Sequence, residues 1–142
     1  MDRVFTLGYE GRTLQELVGL LDRLGVRQVA DVRENPWSRR PGLDRDTLAR
    51  ILEERGVGYR HFGALGCRFE ARTALRRGGD FAPYAEAYRE HLRGAERVVR
   101  DLEAFLREAP TAVLCTERRA EECHRLVLAE RLAADGFRVE HV

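Results

Sequence analysis

The chain contains no lysine, because all 25 of its basic residues are arginine. This absence excludes a lysine that forms a Schiff base, a lysine general base and the lysine of a phosphate-binding loop. Arginine is still available for anion binding, since its planar guanidinium matches the geometry of phosphate and carboxylate groups. If the protein binds an anion, we expect arginine to provide the positive charge.

The sequence also lacks a large net charge and a long apolar run. Its 25 basic and 24 acidic residues give a net charge of +1, which creates no overall attraction to nucleic acid or to a membrane surface. No apolar stretch approaches the roughly 20 residues that cross a bilayer, and no signal-peptide pattern opens the chain. We therefore expect a cytoplasmic protein with no membrane partner, folded as one domain over residues 1–142.

Cysteine is scarce, and no two cysteines form a C-x-x-C pair. The three cysteines are Cys67, Cys115 and Cys123. In a chain without an export signal, an odd number of cysteines indicates reduced thiols rather than a disulfide framework. The sequence predicts no metal site, although Cys123, His124 and Glu117, with Asp31, are the residues that would form one.

Short runs of β-branched and apolar residues alternate with helical patterns along the chain. The predicted strands cover residues 3–7, 27–32, 57–62, 111–116 and 137–142. The predicted helices lie between 13 and 25, between 44 or 46 and 56, and over 81–92, 95–107 and 121–135. This order predicts a three-layer α/β domain with a mostly parallel sheet of about five strands. The fully apolar run 111–116 is typical of a central strand.

The segment from Cys115 to Arg125 leads from a buried strand into a helix. Its residues Cys123, His124 and Arg125 fall near the first helical turn, where backbone N–H groups and the helix dipole favour an anion. Glu117 follows Cys115 by two positions, so its carboxylate should lie near the sulfur and raise the pKa of the thiol. We therefore expect Cys115 to be a core residue and a poor nucleophile.

Two further loops follow strands and carry groups suited to an anion. Residues 31–42 combine a carboxylate and a guanidinium with two more arginines and a tryptophan that could stack on a base. Residues 8–13 form a glycine-containing turn that resembles a phosphate cradle, although they match neither G-x-G-x-x-G nor a lysine-bearing phosphate loop. The candidate catalytic residues are Glu117, Glu10, Asp31 and His124. The candidate binding residues are Gly8, Tyr9, Arg12, Arg33, Ser38, Arg39, Arg40, Cys115, Cys123 and Arg125.

In an open parallel sheet, ligands bind beyond the carboxyl ends of the strands. All the candidate residues come from loops that follow strands. We therefore predict that five side chains share one cleft at this edge of the sheet: Glu10, Asp31, Arg33, Glu117 and His124.

The chain resembles the family catalogued as domain of unknown function 488. The resemblance extends over nearly all 142 residues. It is carried by residues 6–13, 31–33 with Pro36, 38–40, 65–66, 114–117 and 123–125. It implies a compact, Rossmann-like α/β protein whose motifs converge on one edge, and it brings no settled activity.

A second resemblance, to rhodanese-like sulfurtransferases, rests on residues 31–34, the strand that ends at Cys115, and residues 136–139. Those enzymes form a glycine-bearing anion loop directly after the nucleophilic cysteine. Here Cys115 is instead followed by residues 116–122, which contain three glutamates and no glycine. A glutamate in such a loop would repel a thiolate.

The sequence favours a hydrolase or transferase that acts on a phosphate-bearing substrate, such as a nucleotide or a nucleic-acid end. In this hypothesis the arginine-rich loops bind phosphate, and Glu117 or Glu10 is the general base. The alternatives are a non-catalytic module that binds a nucleotide or a protein, a thiol-redox enzyme, and a rhodanese-like sulfurtransferase that uses Cys115.

Overall fold

The computed structural model describes residues 2–36, 38, 41–66, 78–117 and 123–142. These residues form five strands: β1 (Arg3–Gly8), β2 (Gln28–Asp31), β3 (Gly58–His61), β4 (Thr111–Cys115) and β5 (Arg138–His141). They also form five α-helices: α1 (Leu14–Leu24), α2 (Arg45–Glu54), α3 (Phe81–Arg93), α4 (Glu96–Leu106) and α5 (Arg125–Ala134). A short 3-10 helix covers Gly63–Leu65.

The strands form one parallel sheet in the order β3-β2-β4-β1-β5. The apolar strand β4 lies at its centre, as its composition predicts, and pairs with both β1 and β2. The registers place Gly8 beside Cys115 and Asp31 beside Leu114. The carboxyl ends of the three central strands therefore meet at one edge.

The helix starts follow from local sequence. The hydroxyl of Thr13 accepts a hydrogen bond from the backbone N–H of Glu16, whose carboxylate in turn accepts from the backbone N–H of Thr13. This capping box satisfies two N–H groups that the first helical turn leaves unpaired. Asp44, rather than Asp46, caps α2 through the N–H of Thr47. Gly25 ends α1 with a φ of 70°, a conformation that glycine adopts without steric cost.

Two apolar clusters lie on opposite faces of the sheet. Helices α1 and α2 cover one face through residues such as Leu17 and Leu48, which belong to the same cluster as Leu7 of β1. Helices α3, α4 and α5 cover the other face, where Leu128 belongs to the same cluster as Val113 of β4. The domain is therefore a three-layer α/β fold of the Rossmann-like kind, with an entirely parallel sheet.

The main departure from the predicted elements is the start of α5. The helix begins at Arg125 rather than Glu121, so Cys123 and His124 precede its first turn. Both side chains are buried, and both contact Cys115 at the end of β4. In the described part of the chain, none of the helices has the length and apolar character that a membrane span requires.

Candidate functional site

The first loop continues the pairing between β1 and β4. The N–H of Tyr9 donates to the carbonyl of Cys115 at 3.2 Å, and the N–H of Glu10 donates to the carbonyl of Thr116 at 2.9 Å. These amides extend the ladder of the sheet, so they do not point to an anion. These two bonds tie the loop to the end of β4.

Five residues around the end of β4 form what we call the thiol cluster: Cys115, Glu117, Cys123, His124 and Arg125. All five are buried, with exposed fractions of 4% or less. The Cys123 Sγ donates to the Cys115 Sγ over 2.7 Å, and the Cys115 Sγ lies 3.4 Å from the Glu117 Oε2. Residues from a strand end and a helix start therefore converge on one sulfur.

His124 is oriented by a backbone carbonyl. Its Nε2 lies 3.1 Å from the carbonyl oxygen of Val32, which can only accept, so Nε2 carries the proton of the bond. In the neutral ring Nδ1 is then a proton acceptor. It lies 3.7 Å from the Cys115 Sγ and 3.6 Å from the Cys123 Sγ. The ring of Tyr88 packs against the imidazole, with centroids 5.1 Å apart.

The pKa values of the two thiols are shifted in opposite directions. Burial by itself raises the pKa of Cys115, but the hydrogen bond from Cys123 and the charges of His124 and Arg125 outweigh it, and the net pKa is well below the ordinary value. Burial raises the pKa of Cys123, and the hydrogen bond to Cys115 raises it further. Burial lowers the pKa of His124, but the charge of Cys115, the hydrogen bond with it and the charge of Glu117 together outweigh burial, and the net pKa is raised.

The raised pKa expected for Cys115 from its spacing to Glu117 is therefore wrong. The carboxylate does lie beside the sulfur, as the spacing predicted. What the spacing did not show is that Cys123 and His124 lie against the same sulfur and act in the opposite direction.

Arg125 anchors the other side of the cluster. Its guanidinium donates to the backbone carbonyl of Glu117, and its backbone N–H donates to the Cys123 Sγ at 3.5 Å. Because the side chain is only 1% exposed, its positive charge acts on the sulfurs with little screening by solvent. Arg125 therefore links the start of α5 to the segment that follows β4.

Among the described residues, Cys115, Cys123 and His124 could together hold a metal ion, because their donor atoms all lie within 4.8 Å of one another. Thiolate and imidazole are ligands that zinc prefers. Two sulfurs bound to one tetrahedral zinc at about 2.3 Å would be about 3.8 Å apart. The 2.7 Å separation is shorter, so the geometry fits direct chemistry between the sulfurs better.

A second cluster contains Asp31, Arg33 and Tyr59. The guanidinium of Arg33 forms a bidentate ion pair with Asp31, with N–O distances of 2.9 and 2.7 Å, and it also donates to the carbonyl of Leu43 at 2.6 Å. The Tyr59 hydroxyl donates to Asp31 at 2.5 Å. Burial lowers the pKa of Arg33, but its bonds to Asp31 raise it more. We call this group the arginine cluster.

The residues predicted to share one cleft contribute to two clusters at the carboxyl edge of the sheet. The arginine cluster adjoins the face covered by α1 and α2, where the Tyr59 ring packs, whereas Cys115 and Cys123 belong to the apolar cluster of the opposite face. Glu117 and His124 come together, as do Asp31 and Arg33. The Glu10 side chain is exposed, beside a backbone bond to Thr116.

Some of the remaining candidates contact neighbouring residues at the sheet edge, and others lie outside the described residues. The Arg12 guanidinium donates to the carbonyl of Gly8 at 3.1 Å. The guanidinium of Arg33 lies over the Tyr9 ring, 5.4 Å from the ring centroid. Ser38 is half-buried. The predicted candidates Arg39 and Arg40, with Trp37 and Cys67, lie outside the described residues.

Sequence reasoning missed two tyrosines that contact these clusters, Tyr59 and Tyr88. Tyr59 lies on β3 opposite Val29, and its hydroxyl reaches Asp31 at the end of β2. Tyr88 lies on α3, and its hydroxyl donates to the carbonyl of Leu65 at 2.6 Å. No local signal marks Tyr88, because its partners are distant in sequence.

The fold and the site define a three-layer parallel α/β protein with a buried cysteine and histidine cluster at the carboxyl edge of its sheet. The chain belongs to the family described as Domain of unknown function DUF488, whose model matches residues 13–132. This confirms the resemblance read from the sequence. No curated protein and no solved structure shows a significant match to the chain.

Proposed function

We propose that the protein is a thiol-dependent enzyme in which Cys115 is the nucleophile and His124 its proton acceptor. The observation that carries this proposal is the orientation of the imidazole. Its Nε2 donates to the carbonyl of Val32, so Nδ1 is the accepting nitrogen, and it lies 3.7 Å from the Cys115 Sγ and 3.6 Å from the Cys123 Sγ. A nucleophile, a base and a group that orients the base form the arrangement that activates cysteine in many enzymes.

Cys115 rather than Cys123 is the nucleophile in this proposal, because the reactive form of cysteine is the thiolate. The charges of His124 and Arg125, and the hydrogen bond that Cys123 donates, lower the pKa of Cys115. Burial raises the pKa of Cys123, and its hydrogen bond to Cys115 raises it further, so Cys123 keeps its proton and donates it toward the thiolate. The pair is thus differentiated into one thiolate and one thiol.

Glu117 and Arg125 are positioning residues in this proposal. The Glu117 carboxylate lies beside the Cys115 sulfur and raises the pKa of His124, which favours the charged imidazolium as the partner of the thiolate. The guanidinium of Arg125 holds the backbone of Glu117 in place.

The pH dependence of alkylation tests this proposal. The full chain carrying Cys67→Ser would be treated with iodoacetamide at a series of pH values, denatured and digested with trypsin. Cleavage after Arg107, Arg118, Arg119 and Arg125 leaves Cys115 and Cys123 on separate peptides, 108–118 and 120–125. The midpoint of each pH profile is the readout rather than the rate, because burial slows alkylation of both thiols.

We expect the Cys115 midpoint to lie below about 8.5, the ordinary value for cysteine, and the Cys123 midpoint to lie above it. In His124→Gln, glutamine can still donate to Val32 but cannot become charged, so the Cys115 midpoint should rise by about one unit or more. Thermal melting would verify that this variant is folded. A Cys115 midpoint at the ordinary value, unchanged in His124→Gln, would overturn the proposal.

A second candidate, the phosphate-directed enzyme favoured by the sequence, is supported by the buried guanidinium of Arg125 at the start of α5. Arg33 does not support it, since its charge is already paired with Asp31. In this candidate, inorganic phosphate or a mononucleotide raises the melting temperature at low salt, and added salt weakens the shift. The absence of a shift at millimolar ligand would exclude this candidate.

A further inference from the structure

The contact between the sulfurs of Cys115 and Cys123 lowers the pKa of Cys115, and it also brings the two sulfurs close to bonding distance. At 2.7 Å the two sulfur atoms are only about 0.7 Å further apart than in an S–S bond. Cys115 is the last residue of β4, and Cys123 lies two residues before α5. Both side chains have no exposed surface. The fold thus places the two thiols where a bond between them needs only a small displacement.

The burial of the pair restricts what can oxidise it. Because Cys115 has no exposed surface, a bulky disulfide or a large charged oxidant has no direct approach to its sulfur. A small uncharged hydroperoxide loses less solvation free energy than an ion on reaching a buried sulfur. Cys115 lies in the apolar cluster formed with α3, α4 and α5, which suits such a substrate better than an ion.

We propose that Cys123 is the resolving cysteine of a two-cysteine cycle in which Cys115 reduces a small hydroperoxide. This proposal rests on the proposed function of Cys115 as the nucleophile. It adds the substrate class, the role of the second thiol and the product, an internal disulfide between Cys115 and Cys123.

In the first step the Cys115 thiol transfers its proton to Nδ1 of His124. The thiolate attacks the outer peroxide oxygen, the O–O bond breaks, and the leaving alkoxide or hydroxide takes the proton from His124. The sulfur is oxidised to a sulfenic acid, and the hydroperoxide is reduced to an alcohol or to water.

In the second step Cys123 loses its proton to His124 and its sulfur attacks the sulfenic sulfur of Cys115. The S–O bond breaks, the departing hydroxide takes the proton as water, and the S–S bond forms. A small dithiol, under the same size limit as the oxidant, then reduces the disulfide by thiol–disulfide exchange and is itself oxidised to a disulfide. The cycle consumes one hydroperoxide and one dithiol per turn.

The test uses hydrogen peroxide on the reduced full chain carrying Cys67→Ser, so that Cys115 and Cys123 are its remaining thiols. Free thiols are counted under denaturing conditions, and tryptic peptides are analysed without reduction. We expect one equivalent of peroxide to remove both thiols and to join peptides 108–118 and 120–125 through a disulfide. Dithiothreitol should restore both thiols. The wild-type chain is treated in parallel.

A matched variant, Cys123→Ser, separates the two steps. Without the resolving thiol, Cys115 should stop at the sulfenic acid, which dimedone traps on peptide 108–118, whereas the parent with both thiols should give little adduct. If the buried serine hydroxyl impairs folding, Cys123→Ala provides the same test. The parent chain tests disulfide formation with both cysteines in place.

The possible outcomes distinguish the peroxide cycle from the proposed function on which it rests, Cys115 as the nucleophile. Equal dimedone labelling of Cys115 in the parent and in Cys123→Ser, with no joined peptides, would overturn the resolving role and leave Cys115 as a nucleophile. Complete resistance of Cys115 to peroxide, with a lowered alkylation midpoint that rises in His124→Gln, would overturn the peroxide cycle alone. One zinc ion per chain in the reduced protein, released when Cys115 or Cys123 is replaced, would make the thiols metal ligands and overturn it as well.

Discussion

At the scale of single residues, two equally buried thiols have pKa values shifted in opposite directions. Cys115 and Cys123 are both fully buried, yet the pKa of one is lowered and that of the other is raised. Desolvation acts in the same direction on both, so the difference comes from which charges and donors each sulfur faces. The hydrogen bond between the thiols, which lowers the pKa of Cys115 and raises that of Cys123, together with the charge of His124, therefore decides which thiol is reactive.

The same reasoning predicts a large stability effect in the arginine cluster. Asp31→Asn should destabilise the protein by about 3 to 5 kcal/mol, because it leaves the buried guanidinium of Arg33 without its counter-charge. Urea denaturation would measure the change. The control is Glu140→Gln, which breaks the exposed pair with Arg3 and should cost no more than about 1 kcal/mol. Similar losses in both variants would contradict the structural importance of the buried pair.

At the scale of elements, close contacts between loops position the edge of the sheet. The 3-10 helix after β3 leads into Gly66, whose backbone lies against Glu34 in the loop after β2. A Cβ at Gly66 would clash with the backbone nitrogen of Glu34, and the chain cannot accommodate it without moving. The glycine thus allows two loops at the carboxyl edge to touch.

We predict that Gly66→Ala destabilises the protein by about 1 to 3 kcal/mol through this clash. Gly58→Ala is the matched control, because its Cβ would make only an ordinary contact with Gln28, 3.6 Å away. The control should change the free energy of unfolding by less than about 0.5 kcal/mol. Chemical denaturation of both variants would check this, and a neutral Gly66→Ala would show that the loops separate easily.

The packing of α4 against the end of α5 introduces a pH dependence. Burial raises the pKa of Glu103 to about 7, and a hydrogen bond with Asp135 adds to the effect. The nearby charges of Arg131 and Arg107 oppose this rise. The hydrogen bond from Glu103 lowers the pKa of Asp135, so the two carboxyl groups share one proton.

Because the folded-state pKa of Glu103 exceeds its unfolded value of 4.5, its contribution to stability is complete below pH 4.5 and is lost as the pH rises to about 7. We expect a loss of roughly 1 to 3 kcal/mol across this range. Glu103→Gln should flatten the dependence, whereas replacing the exposed Glu54 by glutamine should leave it intact. Urea midpoints measured at several pH values would test this, and an unchanged slope in Glu103→Gln would refute the assignment.

At the scale of the whole molecule, one sheet joins two apolar layers. Leu48 of α2 and Leu128 of α5 are fully buried on opposite faces of that sheet. The central strand β4 contributes alternate side chains to both layers, so loss of either layer exposes part of the same strand. The two layers should therefore unfold together.

Leu48→Ala and Leu128→Ala should each destabilise the protein by about 2 to 5 kcal/mol and shift a single unfolding transition. Circular dichroism and tyrosine fluorescence, followed through the same urea titration, would give coincident curves. Separate transitions in either variant would show that the two layers are independent folding units. This measurement also tests the expectation that the chain folds as one domain.

Much of the architecture is determined by local sequence. The capping box at Thr13, the cap at Asp44 and the glycine at Gly25 set helix ends through bonds within a few residues. The apolar composition of residues 111–116 requires burial on both faces, which places this strand in the middle of a parallel sheet. Strand and helix signals in alternation then leave few arrangements other than three layers.

The chemistry of the site was decided by tertiary structure. The sequence by itself determined that Glu117 lies near the sulfur of Cys115, because a spacing of two in an extended chain brings the side chains to one face. It could not determine that His124 would bond to Val32, which is 92 residues away, or that Cys123 would touch Cys115. Nor could it determine that Tyr59, on another strand, would donate to Asp31. A pKa depends on distances in space of a few ångströms, and those distances exist only once the chain has folded.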